Sequence, residues 1–152
     1  KESDVRSVGR TAIGVRGIRL ADKDSVVSLI VAESDDPILT ATEKGYGKRT
    51  QLDEYRAQAR GGSGVISIKT SDRNGQVVGA IQVTDEDEMM LISDKGTLVR
   101  ARASDVSIIG RNTQGVTLIN IADDEALVSV AKIAETEDDE DDSEEVSESS
   151  EE

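Results

Sequence analysis

A block of about 50 residues recurs along this chain, and repetition at a fixed period indicates stacked structural units. Its clearest marker is a glycine that precedes an apolar segment, with spacings of 50 and 51 residues: Gly14, Gly64 and Gly115. Lys44 and Lys95, each followed by glycine, keep the same register at a spacing of 51. The first residue is Lys1 and the sequence opens inside a repeat, so we expect the chain to be a piece of a longer protein.

Within each period the pattern predicts strands and tight turns. Alternating apolar and polar residues favour half-buried strands, and longer apolar runs favour strands covered on both faces. Lys-Gly turns then lead into a shorter fourth strand. The expected strands are 15–20 and 65–69, then 26–31, 77–83 and 127–131, then 38–42 and 89–93, with the fourth strands after 44–45 and 95–96. Four strands per period predict an all-β fold of four-stranded blades in a β-pinwheel or propeller-like array.

Helical repeats are the alternative, and the sequence argues against them. β-Branched residues are dense, glycine is frequent, and no segment of helical length has apolar residues at i, i+3, i+4 and i+7. Only residues 52–58 could form a helical turn. Residues 1–134 then hold the end of one blade, two full periods and a partial last blade. Gly64 and Gly115 are expected where a side chain would clash at the start of a blade.

The charge divides the chain into two parts. The net charge is −14, but residues 135–152 contain 12 acidic residues and no basic one, and residues 1–134 carry 20 acids and 18 bases, a net of −2. A block of like charge cannot bury apolar surface, so residues 135–152 are predicted to be a disordered acidic tail. We expect this tail to compete with polyanions for basic residues of the body; the alternative is that it only keeps the protein soluble.

Several function classes lose support from composition. There is no His and no Cys, so the commonest general base and the strongest nucleophile are absent, and we expect no catalytic residue. The repeated turn aspartates Asp22, Asp72 and Asp123 lack the spacing of a calcium loop and fit turn chemistry better. We therefore expect no metal and no cofactor in this chain. No apolar run is long enough to span a membrane, and a cytoplasmic location is expected.

Basic residues follow the period, which is the strongest functional signal. Equivalent positions of stacked units lie along one rim, so aligned cations should form a stripe suited to a polyanion. The alternative is that they protect strand edges from pairing. The candidate DNA-binding residues are Arg10, Arg19, Lys44, Arg49, Arg60, Lys69, Lys95, Arg100 and Arg111.

Four strings in order resemble the C-terminal domain of bacterial DNA gyrase A. They are Gly-Arg-Thr-Ala-x-Gly-Val-Arg-Gly-Ile at 9–18, Lys-Gly-Tyr-Gly-Lys-Arg-Thr at 44–50, Gly-Val-Ile-Ser-Ile-Lys at 64–69 and Gly-Arg-Asn-Thr-Gln-Gly-Val at 110–116. The Gly-rich loop 58–64 resembles a degenerate copy of the family's Gln-Arg-Arg-Gly-Gly-Lys-Gly box, with Ala59 and Ser63 replacing two basic residues.

The resemblance implies the last blades of a six-bladed β-pinwheel that wraps duplex DNA near the nucleoid. It also implies that the catalytic tyrosine lies outside this chain, that ATP and Mg serve only the intact enzyme, and that the partners are the rest of gyrase A and the gyrase B subunit. Two other functions remain open: the corresponding C-terminal domain of topoisomerase IV, and a propeller-type scaffold for protein interaction.

Overall fold

The computed structural model describes residues 2–133, which form two antiparallel sheets and three single-turn 3-10 helices. The prediction of an all-β fold is confirmed. The acidic tail, predicted over 135–152, lies outside the described residues. The strands are β1 (Ile38–Thr42), β2 (Tyr46–Thr50), β3 (Val77–Gln82), β4 (Glu88–Ser93), β5 (Leu98–Arg102), β6 (Val116–Thr117) and β7 (Leu127–Lys132). The 3-10 helices are Glu2–Asp4, Leu52–Glu54 and Ala103–Asp105.

Each sheet is assembled from more than one period. The first sheet has the order β3-β1-β2-β6 and the second the order β5-β4-β7. If periods begin at the three marker glycines, the hairpin β1–β2 comes from the first period, β3 from the second and β6 from the third. The predicted number of four strands per sheet is found in the first sheet. The four strands are, however, drawn from three consecutive periods, so the periods are tied together by main-chain hydrogen bonds.

The core lies between the two sheets and is aliphatic, as the near absence of aromatic residues requires. All five residues of β1 are buried, because β2 and β3 flank it and the second sheet covers it. Leu39 of β1 packs in one cluster with Met89 and Leu91 of β4 and with Leu127 of β7. The strands β3 and β7 approach so closely that a Cβ on Gly79 would lie 3.0 Å from Cγ1 of Val130.

Three predicted strands, 15–20, 26–31 and 65–69, are not strands in the described residues. The reason is the order of pairing. β3 begins at Val77 and pairs with β1, which begins at Ile38, 39 residues earlier. At that spacing the equivalent segment 26–31 has no partner hairpin among residues 2–133. The same holds for 15–20 and 65–69, which align with β6, whose partner β2 lies about 70 residues earlier. Strand-forming residues without a paired hairpin stay irregular.

The three marker glycines share one backbone conformation. Gly14, Gly64 and Gly115 have φ of +83°, +77° and +82°, in the left-handed region that favours glycine. The predicted steric clash is confirmed for Gly115 alone, where an added Cβ would lie 2.5 Å from the carbonyl oxygen of Gly47. At Gly64 the expectation was wrong, because the nearest atom, Cδ1 of Ile18, would be 3.7 Å away.

Candidate nucleic-acid interface

Three turns with the same pattern of hydrogen bonds occupy the same place in successive periods. In each, a side-chain oxygen accepts a hydrogen bond from the backbone N–H three residues before it: Asp24 from Ala21 at 3.3 Å, Asn74 from Ser71 at 2.8 Å and Glu125 from Ala122 at 3.4 Å. The backbone N–H of each of these residues also donates to the carbonyl of the same partner. These bonds fix the alignment of the three turns without reference to sequence similarity.

The alignment places cations at two repeated positions. Arg19 matches Lys69, and Lys23 matches Arg73. All four side chains are exposed, and Lys23 has a φ of 74°, an uncommon value for a residue with a side chain. In the third turn the two positions are Asn120 and Asp124.

A glycine-containing loop from the end of the same period lies against each of the first two turns. The N–H of Arg19 donates to the carbonyl of Gly62 at 2.8 Å, and the N–H of Lys69 donates to the carbonyl of Thr113 at 2.9 Å. These bonds bring Arg60 and Arg111 to the first and second turns. We define three rim sites: the first contains Arg19, Lys23 and Arg60; the second contains Lys44, Lys69, Arg73 and Arg111; the third contains Lys95, Asn120 and Asp124.

The second rim site is held by a dense set of polar contacts. The guanidinium of Arg73 lies 4.7 Å from the ring centroid of Tyr46, a cation–π contact, and donates to Oε1 of Gln114 at 3.3 Å. Asn74, buried beneath it, donates to the carbonyls of Lys69 and Gln114, both at 3.0 Å. Lys44 donates to the carbonyl of Asp72. The backbone that carries these cations is therefore held in place by hydrogen bonds to the carbonyls of Lys69, Asp72 and Gln114.

A buried lysine anchors the loop that carries Arg111. The Lys48 side chain is fully buried, and its Nζ donates to the carbonyls of Gly110 at 2.6 Å and Arg111 at 2.5 Å and to Oγ1 of Thr113 at 3.2 Å. Burial lowers the pKa of Lys48 from 10.5 to about 8; the nearby carboxylate of Glu54 opposes this shift and the charge of Arg111 adds to it. Three oxygens nonetheless meet the ammonium, which is what a buried cation requires.

The predicted DNA-binding residues fall into two groups. Arg10, Arg19, Lys44, Arg60 and Lys69 are exposed, and none of them forms an ion pair within residues 2–133. Arg111 is half-buried and donates from Nη1 to the carbonyl of Ile66 at 2.8 Å.

Each of the other three predicted residues forms an ion pair with a carboxylate. Lys95 is paired with Asp124 and Arg100 with Glu88. Arg49 is 4% exposed; its Nε donates to the carbonyl of Val106 at 2.8 Å, and its Nη1 pairs with Asp85. A guanidinium so enclosed serves the packing of β2 rather than an outside phosphate, and we remove Arg49 from the candidate interface.

Three residues of this region were missed in the sequence. Lys23 and Arg73 lie in the polar turns at a spacing of 50 residues. The third equivalent position is Asp124, so the repeated cation did not appear in all three periods. Lys48 lies between the aligned pairs Lys44/Lys95 and Arg49/Arg100, and its own equivalent is Val99. No repeat signal could have identified it.

Two further observations concern other functions. Within residues 2–133 no group of three or more Asp, Glu, His or Cys side chains is arranged to hold a metal ion. In the first and third aligned turns the carboxylates of Asp24 and Glu125 accept hydrogen bonds from the backbone of their own turn, as short turn side chains often do. The expectation of turn chemistry for Asp22, Asp72 and Asp123 stays a prediction. The described residues also contain no helix long and apolar enough to cross a membrane.

Known proteins similar to this chain give a consistent picture. The family model of the DNA gyrase C-terminal domain, a β-propeller, matches residues 1–33, 36–84 and 87–134. DNA gyrase A of Klebsiella oxytoca is 61% identical over 135 residues, which cover 89% of this chain and 15% of that protein. DNA gyrase A of Escherichia coli K12 is 58% identical with the same coverage. The chain thus spans 15% of the length of these relatives.

Two solved structures share the fold. A structure of a DNA gyrase A C-terminal domain superimposes with a TM-score of 0.79 and 33% identity, covering 86% of this chain and 45% of that one. The C-terminal domain of a DNA topoisomerase IV gives a TM-score of 0.78 at 27% identity, covering 87% of this chain and 42% of that one. With three consecutive matches to one family model and the same fold in solved relatives, this chain belongs to the DNA gyrase C-terminal domain family.

Proposed function

We propose that this chain binds duplex DNA through the sugar-phosphate backbone, without base readout. The observation that carries the proposal is the repetition of exposed cations on structurally identical turns, Arg19 with Lys23 and then Lys69 with Arg73. Evenly repeated cations on an outer edge match the repeated charge of a phosphate backbone. All the residues that define the first two rim sites are lysine or arginine, so phosphate contacts would set the affinity.

Assembly of the first two sites from separate segments of the chain suits a surface that bends DNA. Arg60 and Arg111 come from loops about 40 residues after the turns that they join, so a phosphate held at either site would contact two separate segments of the rim. Bending 20–30 base pairs by 40–90° costs on the order of 1–6 kcal/mol. Several charge-assisted phosphate contacts spread over successive sites can offset that cost.

The role in the intact protein follows from family membership and is part of the proposal. The chain would wrap DNA for the gyrase A and B subunits in the bacterial cytoplasm, in support of ATP-dependent negative supercoiling. The chain itself would contribute no catalytic group and hold no cofactor; ATP and Mg would act elsewhere in the enzyme. The similarity in fold to topoisomerase IV keeps that enzyme as the alternative parent. A supercoiling assay with the intact enzyme separates them, since wrapping by gyrase should yield negative supercoils.

A salt titration tests the proposed interface. For the unsubstituted chain, log K for duplex DNA should fall steeply with log salt, because each neutralised phosphate adds about −0.9 to the slope. Replacing Lys69 and Arg73 together with Gln should flatten the slope by about two and weaken all sequences alike.

The control removes the same charge elsewhere. Arg102 and Lys132 lie at the far end of the β4–β5 hairpin from its Gly96 turn, and Arg102→Gln with Lys132→Gln should leave the slope unchanged. Equal flattening in both variants, or a loss confined to one DNA sequence, would contradict backbone binding at the second rim site.

A further inference from the structure

The third rim site has the architecture of the second and the opposite charge. When the turns are aligned by their hydrogen bonds, Asp124 occupies the position equivalent to Arg73, and Asn120 the position equivalent to Lys69. At the positions that align between the two sites, the second site has Lys44, Lys69 and Arg73 with Asp72, three cations and one acid, a charge of +2 without Arg111. At the third site Lys95 with Asp123, Asp124 and Glu125 is one cation and three acids, a charge of −2.

The hairpin lysine is engaged differently at the two sites. Lys44 donates to a backbone carbonyl, that of Asp72, so no carboxylate cancels its charge in that contact. Lys95, its equivalent 51 residues later, is paired with the carboxylate of Asp124. The substitution at position 124 thus removes one cation from the rim and neutralises a second.

Lys44 and Arg73 of the second site line one groove of about 650 Å³ together with residues 120–126, which include the acids of the third site. A DNA backbone that follows the rim beyond Arg73 would therefore meet Asp123 and Asp124 in the same groove. Repulsion between these carboxylates and a phosphate acts over distances up to about the Debye length, which is about 8 Å at physiological salt.

We propose that the DNA path on this chain ends at the second rim site, and that the third rim site is a stop that repels the phosphate backbone. The proposal rests on the proposed function, since it concerns the extent of the same interface. Of three structurally equivalent turns, the first two present two cations each at the aligned positions and the third presents none. The stop would direct the duplex off the rim at a defined repeat, which fixes the length of DNA that these repeats hold.

Restoring the missing cations tests the stop. The variant Asn120→Lys with Asp124→Arg places at the third site the charges of the second and releases Lys95 from its ion pair. If the DNA path is then extended, the slope of log K against log salt should steepen by about two to three, with tighter binding at low salt. Asp124→Asn alone, which only releases Lys95, should shift both quantities by less in the same direction.

The matched control adds the same three units of charge away from the rim. Glu86→Arg with Ser104→Lys does so at the end of the β4–β5 hairpin opposite Lys95, and both positions are exposed. This control should leave the slope at that of the unsubstituted chain. A gain equal to that of the rim variant would show that bulk charge alone acts, and an unchanged rim variant would show that no stop exists; either result overturns the inference. Loss of salt-dependent binding in the unsubstituted chain would instead overturn the proposed function, and the inference with it.

Discussion

Two segments of the chain share a sequence pattern and have different structures. Residues 26–31 and β3 are equivalent apolar runs, yet β3 is hydrogen-bonded to β1 along its length, whereas 26–31 forms no strand in the described residues. Leu29 and Val31 are 90% and 75% exposed. The difference lies in the hairpin that β3 receives from the period before it. Strand propensity is repeated in every period, but a strand forms only where the neighbouring period supplies its partner.

The same contrast separates the outer strands of the two sheets. β2 is paired with β6 and bridged by Arg49 to Ile108, and four of its five residues are buried. β5 is equivalent to β2, but within residues 2–133 it has a partner on one side only, β4, and three of its five residues are exposed. Residues at equivalent repeat positions in β2 and β5 should therefore contribute different amounts to the free energy of unfolding.

The largest expected effect distinguishes Gly115 from Gly64. Alanine at either position is strained by a positive φ, at about 1–2 kcal/mol. At Gly115 the new Cβ would also lie 2.5 Å from the backbone oxygen of Gly47, in the β2–β6 pairing, and such overpacking adds about 1–3 kcal/mol. Gly115→Ala should thus lower the free energy of unfolding by about 2–5 kcal/mol, and Gly64→Ala by about 1–2.

Urea denaturation of the two variants measures this difference. Gly14→Ala is the matched control, because Gly14 has the same backbone conformation and open space around it; it should cost no more than Gly64→Ala. If all three variants lost equal stability, the close contact between β2 and β6 would make no contribution to the free energy of unfolding.

A second matched pair compares Arg49 and Arg100, which are 51 residues apart. Arg49→Met leaves the buried carbonyl of Val106 without its donor, and an unsatisfied buried group costs about 1–3 kcal/mol. Arg100→Met removes an ion pair in which the arginine side chain is 63% exposed, and exposed pairs contribute only about 0–1 kcal/mol. Thermal unfolding should therefore separate the two variants clearly. Equal destabilisation would mean that β2 is no better covered than β5.

Much of this fold could be predicted from residues alone. The spacing of Gly14, Gly64 and Gly115 gave the period, and the apolar runs located β1, β3, β4 and β7 within one or two residues. Pairing could not be read from the sequence, because apolar runs do not reveal which period supplies a strand's partner. Strands were therefore expected at 15–20 and 26–31, where no hairpin of the described chain reaches.

The candidate site divides in the same way. Aligned cations such as Lys69 and Arg111 could be identified because they recur at the repeat spacing of 50 or 51 residues. Arg49 carried the same signal and is buried against residues 106–109, since register does not show which distant segment will cover a given strand. Lys48 was invisible because its role depends on a loop 62 residues away in sequence, and contacts at that separation leave no local pattern.

Lys48 offers a smaller effect that sharpens the comparison with Val99, its equivalent in β5. Lys48→Met leaves three oxygens of the 110–113 loop without their donor, which is destabilising, but it also relieves the burial of a charge. We expect a net loss of about 1 kcal/mol. The loop should loosen more than the core, so amide exchange of Lys69, whose N–H bonds to Thr113, should accelerate more than that of Leu39. Uniform acceleration would contradict a local anchoring role.

A pH dependence specific to Lys48 gives a further test of its burial. Its pKa is lowered to about 8 in the folded protein from an ordinary 10.5, so between these values the unfolded chain binds more protons than the folded one. Stability contributed by this group must then rise with pH across that window. Subtracting the unfolding free energy of Lys48→Met from that of the unsubstituted chain cancels the contributions that the two chains share. The difference should grow from about pH 8 toward pH 10. A difference that stays flat over this range would mean that Lys48 is hydrated in solution, and that the 110–113 loop is held more loosely than its three hydrogen bonds imply.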